Sequence, residues 1–193
     1  MRLPEVERGD SFRTRAIIRL VSAVTGVRLP DAARVAFYHS DFVGAALGEW
    51  TQLAMRGESS WSVAERELMA AMVATWNSCA FCVGAHSAIA VLGMDAEIVE
   101  ACRADYRTAP ISERLRETLR FLEKQTLDPA HLGADDARTA IAAGVSPGEL
   151  TDAAAVGALF NIITRYANAL DFAIPTGADF DKAARMLLKR GYS

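Results

Sequence analysis

Two Ser-x-x-Glu boxes, Ser62 with Glu65 and Ser146 with Glu149, each open onto a run whose apolar residues recur every three or four positions. In such a box the serine hydroxyl and the glutamate carboxylate satisfy N–H groups that a helix start leaves unpaired, so both boxes mark helix beginnings. Leu68, Met72 and Trp76 follow the first; Val156, Leu159, Phe160, Ile163, Tyr166 and Leu170 follow the second. β-branched runs are short and never alternate, so no strand is expected and the predicted fold is all-α, a helical bundle in a single domain. The two boxed helices hint at a duplication, but the residues between them do not repeat.

The other helices read in the same way. Ser11 caps an N-terminal arm carrying Ile17, Leu20, Val21 and Val24, which Gly26 and Pro30 end. We place a boundary there, with a helical arm over 1–29 and the main domain over 30–193. A helical region from Asp31 to Gly57 follows, weakened at Gly44 and Gly48, and further helices are expected over 79–92, 95–104, 112–125, 134–143, to Leu170, and over 178–189. Ser78 is the expected N-cap of the 79–92 helix and Gly93 its stop.

Of the 193 residues 51% are apolar, with a net charge of −3, and the mean hydropathy is slightly positive. That is rich for a monomer of this size and points to a homo-oligomer that hides apolar surface between subunits. Mild acidity excludes the usual nucleic-acid binder, because the only basic cluster is Arg13, Arg15 and Arg19. The N-terminus has no apolar h-region, and the most apolar segment carries Asn161, Arg165, Asn168 and Asp171, so neither signal peptide nor membrane span is expected and the protein reads as cytoplasmic. Three cysteines in that compartment suggest redox, catalytic or metal chemistry rather than a disulfide framework.

Two of them stand in the stretch Glu65–His86, ERELMAAMVATWNSCAFCVGAH, as Cys79-x-x-Cys82, with His86 four residues beyond and Glu67 twelve before. On one helix Cys79, Cys82 and His86 share a face. A helix N-terminus favours the thiolate, the reactive form of cysteine, and an i,i+3 spacing there permits a disulfide. His86 is one turn past Cys82, placed to take or return a thiol proton, and Glu67 can orient the imidazole if its helix packs alongside.

The pattern E-x(11)-C-x-x-C-x-x-x-H formed by Glu67, Cys79, Cys82 and His86 resembles the signature of the AhpD-like alkylhydroperoxidases of the carboxymuconolactone decarboxylase superfamily. The likeness runs over about residues 30 to 180, including G-V-S-x-x-E-L from Gly144 and F-N-x-x-x-R-x-A-N-A-L from Phe160, and is nearest the peroxidase-related branch. It implies an AhpD-like helical subunit assembling as trimers or hexamers, a thiol peroxidase without haem, flavin, other cofactor or metal. It further implies Cys82 as peroxidatic thiolate, Cys79 as resolving cysteine, Glu67 and His86 as proton relay, a hydroperoxide substrate, and an external dithiol reductant such as a thioredoxin-like or lipoyl protein. One position departs: AhpD proteins carry histidine before the second cysteine, where this chain has Phe81. The change removes a proton carrier and makes the site more apolar, which points to slower turnover or a bulky organic peroxide.

Three other readings use the same residues. Cys79, Cys82 and His86, with Glu67 or a group from another subunit as the fourth ligand, are a donor set zinc accepts. A non-catalytic oligomeric scaffold retaining the motif, or a lactone decarboxylase or isomerase of the same superfamily, would not need the thiols. Outside the motif, Cys102 reads as a small packing residue, His39 as structural, His131 as solvated, and Asn161 and Arg165 as bridging or loop-capping residues rather than holders of a substrate carboxylate. Trp50, Trp61 and Trp76 read as core or interface anchors.

Overall fold

The computed structural model describes residues 1–38 and 40–192, with the backbone alone described at Phe42. His39 lies outside the described residues. Besides a π-helical stretch and a short 3-10 turn, the described residues form eleven α-helices and no strand. In chain order they are α1 (Pro4–Arg8), α2 (Phe12–Thr25), α3 (Asp31–Tyr38), α4 (Leu47–Arg56), α5 (Val63–Trp76), α6 (Ala80–Ala90), α7 (Ala96–Asp105), α8 (Glu113–Leu127), α9 (Ala134–Ala142), α10 (Pro147–Leu170) and α11 (Gly177–Arg190).

The centre is α5. Its residues from Arg66 to Ala74 are all buried, so the expected one-sided seam of Leu68, Met72 and Trp76 is only part of its contact surface. Four alanines in this helix let α6, α8 and α10 approach it closely. Both capping boxes form as expected, and α8 joins them. Arg114 pairs with Glu149 and lies 3.5 Å from Glu65, its guanidinium sits 4.0 Å above the Trp61 ring, and the Trp61 indole donates to the Glu149 carbonyl at 2.8 Å. The starts of α5 and α10 are thereby fixed against one another.

Two segments differ from expectation. The region from Asp31 to Gly57 is not one weakened helix, because a π-helical stretch at Ser40–Ala46 separates α3 from α4. There a Cβ on Gly44 would lie 2.8 Å from the Ala36 carbonyl, so the close turn requires glycine's small size. The chain also begins with α1, which sequence periodicity does not reveal in five residues. Val6 of α1 is 2% exposed, the Arg2 N–H donates to Leu170 at 2.8 Å, and Arg34 of α3 bonds the Glu7 carbonyl. The arm's second helix, α2, touches the body mainly at α3 and leaves Phe12, Leu20 and Val24 exposed.

The last helix packs along α6, and Gly84 permits the approach. An ideal Cβ at Gly84 would fall 2.5 Å from the Phe180 ring. Gly84→Ala should therefore lift α11 and lower stability by about 1–3 kcal/mol through overpacking. Urea unfolding measures this, and a variant as stable as the parent would show that the ring moves aside freely.

Candidate functional site

The cysteine pair is presented by a break between α5 and α6. Ser78 does not cap α6 as expected; it adopts a left-handed φ of 53°. Its N–H bonds to Thr75 at 3.0 Å and that of Cys79 to Ala74 at 2.9 Å, the paired bonds of a Schellman helix ending. Cys79 is then the N-cap of α6. Because α6 starts at Ala80 and ends at Ala90, before Gly93, it is shorter than the sequence suggested, and Cys79 stands at its mouth rather than within its first turn.

Asparagines from α10 hold this turn. Asn77 donates to the Asn161 side chain at 3.0 Å, and Asn168 donates to the Asn77 carbonyl at 3.0 Å. Asn161 also donates to Thr126 at 3.1 Å and accepts from Arg165 at 2.7 Å. Asn161 and Asn168 thus hold the loop before Cys79, and Arg165 bears on it only through Asn161.

Both thiols are about 1% exposed, packed with Val6, Val35, Ala74, Ala167 and Phe172. Their environments differ. Cys79 is lowered to about 7, chiefly by a hydrogen bond from the Cys82 thiol, opposed by burial and assisted by the backbone N–H groups of Cys82 and Phe81. Cys82 is raised well above its ordinary value, because it donates to Cys79, is buried and faces that charge. Above about pH 7 the reduced pair therefore carries one proton and one negative charge, with the charge favoured at the helix N-terminus. Phe81, between the cysteines, meets Phe172 edge-on at 5.3 Å and Phe180 at 6.1 Å. Cys102 is apart from the pair, fully buried, and burial pushes it up to about 11.

One turn beyond Cys82, His86 meets Glu67. Its Nδ1 lies 2.6 Å from Glu67 Oε2, and the carboxylate is 0% exposed. The other carboxylate oxygen, Oε1, lies 2.7 Å from Arg56 Nη2 and accepts the Tyr192 hydroxyl at 2.8 Å. Burial works to raise the Glu67 carboxyl, but the hydrogen bond and charge of His86 and the Arg56 guanidinium outweigh it and hold the group below its usual value. Glu67 is thus a carboxylate, and with Nδ1–H donating to it, Nε2 is the imidazole nitrogen left for proton exchange. The Phe160 ring stands edge-on to the imidazole at 4.5 Å.

The structure pairs Glu67 with His86 and Cys79 with Cys82, the two pairs one turn apart along α6, and adds Arg56 and Tyr192 around Glu67. Neither carried a sequence signal: Arg56 is a helix-ending cation and Tyr192 lies 125 residues from Glu67. His131 is exposed and bonded to Asp128. Among the described residues no three Cys, His, Asp or Glu side chains converge as a metal-binding group, and no helix is long and apolar enough to cross a membrane.

No protein-family model and no curated protein matches the sequence. Solved structures do. A peroxidase-related protein from Silicibacter sp. TM1040 superposes with a TM-score of 0.77 at 25% identity over 93% of each chain. The AhpD-core, peroxidase-related protein from Ralstonia eutropha JMP134 gives 0.76 at 22% identity, covering 95% of this chain and 96% of its own. The debrominase Bmp8 gives 0.70 at 20% identity over 91% and 94%. The fold is that of the AhpD-like, peroxidase-related superfamily, and the debrominase shows that this fold carries more than one activity.

The split between the thiols is open to direct test. The ultraviolet absorbance of the thiolate should titrate with a midpoint near 7 in the reduced protein, rising with pH, and should move upward in Cys82→Ala, which removes the main donor to Cys79. An unchanged midpoint in that variant would contradict the shared-proton description.

Proposed function

We propose that this protein is a thiol-dependent peroxidase that reduces organic hydroperoxides through a Cys79–Cys82 disulfide. The observation that carries the reading is the polarised cysteine pair at the start of α6, one turn from an imidazole whose other nitrogen is held by a buried carboxylate.

Cys82 gives its proton to His86 and attacks the terminal oxygen of the peroxide. The O–O bond breaks, an S–O bond forms, and the alkoxide takes the proton back from His86 to leave as an alcohol. Cys79, lowered to about 7, attacks the Cys82 sulfenic acid as its thiolate; the S–S bond forms and hydroxide departs as water with a proton from solvent. Two thiols are oxidised and one peroxide is reduced. An external dithiol, thioredoxin-like or lipoyl, then restores the pair by two exchange steps.

Cys79, lowered to about 7, is ready to attack a sulfenic acid near neutral pH, and Cys82, raised by its bond to Cys79, needs a base such as the Glu67–His86 pair. The reverse assignment, with Cys79 attacking the peroxide, is read by the trapping experiment below. The apolar packing around the thiols, with Phe81, Phe172 and Val6, supports a bulky organic peroxide over a small polar one. Exposed Phe12, Leu20, Val24 and Leu53 support a homo-oligomer; the trimeric or hexameric number is carried over from the resemblance, and the cytoplasmic location from the sequence reading.

The test is a thiol count on reduced protein before and after one equivalent of cumene hydroperoxide. Wild type should lose two thiols of three. A sulfenic acid should be trapped in Cys79→Ser and not in Cys82→Ser. His86→Gln should lower turnover about 100-fold or more. No thiol loss would overturn the peroxidase reading, and trapping only in Cys82→Ser would exchange the two cysteine roles.

A further inference from the structure

We infer that Tyr192 and Arg56 are positioning residues for the relay: they divide the charge of Glu67 so that the carboxylate orients His86 without retaining its proton. The inference rests on the peroxidase reading only for the use made of that proton.

A carboxylate facing an imidazole with no other donor stabilises the imidazolium strongly, and a base that cannot release its proton cannot protonate a leaving group. Glu67 is not in that position. Arg56 Nη2 at 2.7 Å and the Tyr192 hydroxyl at 2.8 Å both occupy Oε1, leaving Oε2 to His86. The Tyr192 hydroxyl is also 3.4 Å from His86 Nδ1, and its ring lies nearly parallel to the imidazole, 28° apart with centroids at 6.3 Å. Arg56 sits 4.8 Å from the centre of the same tyrosine ring. Among the described residues, the charged and titratable groups around His86 are Arg56 from α4, Glu67 from α5, Tyr192 from the segment after α11, and Cys82 one turn away on α6; α10 contributes the apolar Phe160.

The placement of Tyr192 is built into the chain. Gly191 has φ 77°, and a Cβ there would fall 2.3 Å from the Gln52 side-chain oxygen, so glycine alone makes this turn without strain. The same Gln52 oxygen accepts the Tyr192 N–H at 2.7 Å. Gln52 and Arg56, one turn apart on α4, therefore hold the tyrosine by its backbone and its ring. Burial and the Glu67 charge push its hydroxyl well above its ordinary value, so it remains a donor throughout the working range.

Tyr192→Phe keeps the ring and removes only the hydroxyl. Ring-nitrogen NMR of His86, assigned by its loss in His86→Gln, reads the imidazole without any turnover. In wild type the neutral ring should carry its proton on Nδ1. In Tyr192→Phe the ring should stay doubly protonated to a pH higher by about 0.5–1 unit, the size expected for one lost hydrogen bond. The acid limb of peroxide turnover should move the same way with KM unchanged, while the unfolding midpoint falls because the buried carboxylate loses a donor. Arg56→Gln should shift the ring titration in the same direction. Gly191→Ala, which displaces the tyrosine without altering it, should reproduce the Tyr192→Phe shift and serves if that variant folds poorly. A ring titration identical in wild type and variants overturns the inference, whatever happens to the rate. A shift in a protein that consumes no peroxide would sustain it while removing the peroxidase reading.

Discussion

A carboxylate with no exposed surface sits in the middle of the most buried helix of this protein, and much of the local architecture follows from having to hold it. A buried charge is tolerated only when paired and hydrogen-bonded, and removing one partner from such a pair typically costs about 3–5 kcal/mol. Glu67 draws its partners from three separate places: the Arg56 guanidinium from the end of α4, His86 from α6, and the Tyr192 hydroxyl from beyond α11. The close seat of α11 on α6 at Gly84 and the turn at Gly191 are the packing conditions for that convergence. Stability and site geometry are thus set by the same contacts.

The thiol end of α6 is organised by a different device. A Schellman turn ends α5, two asparagines of α10 clamp it, and the following residue becomes the N-cap of α6. That residue is a cysteine, so the unpaired N–H groups that a serine would cap instead stabilise a thiolate. Cys82, deeper and raised, keeps the proton. Two centres of opposite tendency therefore lie one turn apart on a short helix, a thiol pair holding one charge and an imidazole able to move one proton. The apolar packing of Val6, Val35 and Phe172 around the sulfurs ties the first helix of the chain to the site.

Much of this was legible in the sequence because it is local. The capping boxes at Ser62 and Ser146 formed as read, and the spacing of Glu67 from His86 led to a contact because α5 and α6 are neighbours joined by a short turn. Ser78 misled because a small polar residue serves both as an N-cap and in a left-handed turn, and only the bonds to Ala74 and Thr75 decide between them. The π-helical stretch at Ser40–Ala46 and the five-residue α1 are too short to show a period. Arg56 and Tyr192 were invisible for a different reason: their role depends on a chain segment returning from far along the sequence to meet α4, and no local pattern encodes that return. The distinct tendencies of Cys79 and Cys82 likewise depend on which of them stands outside the helix.

In the proposed cycle Cys79 and Cys82 act as one redox unit while Cys102 stays inert in the core. A mass-spectrometric peptide map of the wild-type protein after exposure to an organic hydroperoxide tests it most directly. A loss of two hydrogens should be confined to the peptide that contains Cys79 and Cys82 and reversed by a dithiol, with Cys102 recovered as free thiol. Oxidation appearing at Cys102, or a Cys79–Cys82 peptide unchanged by the peroxide, would contradict it.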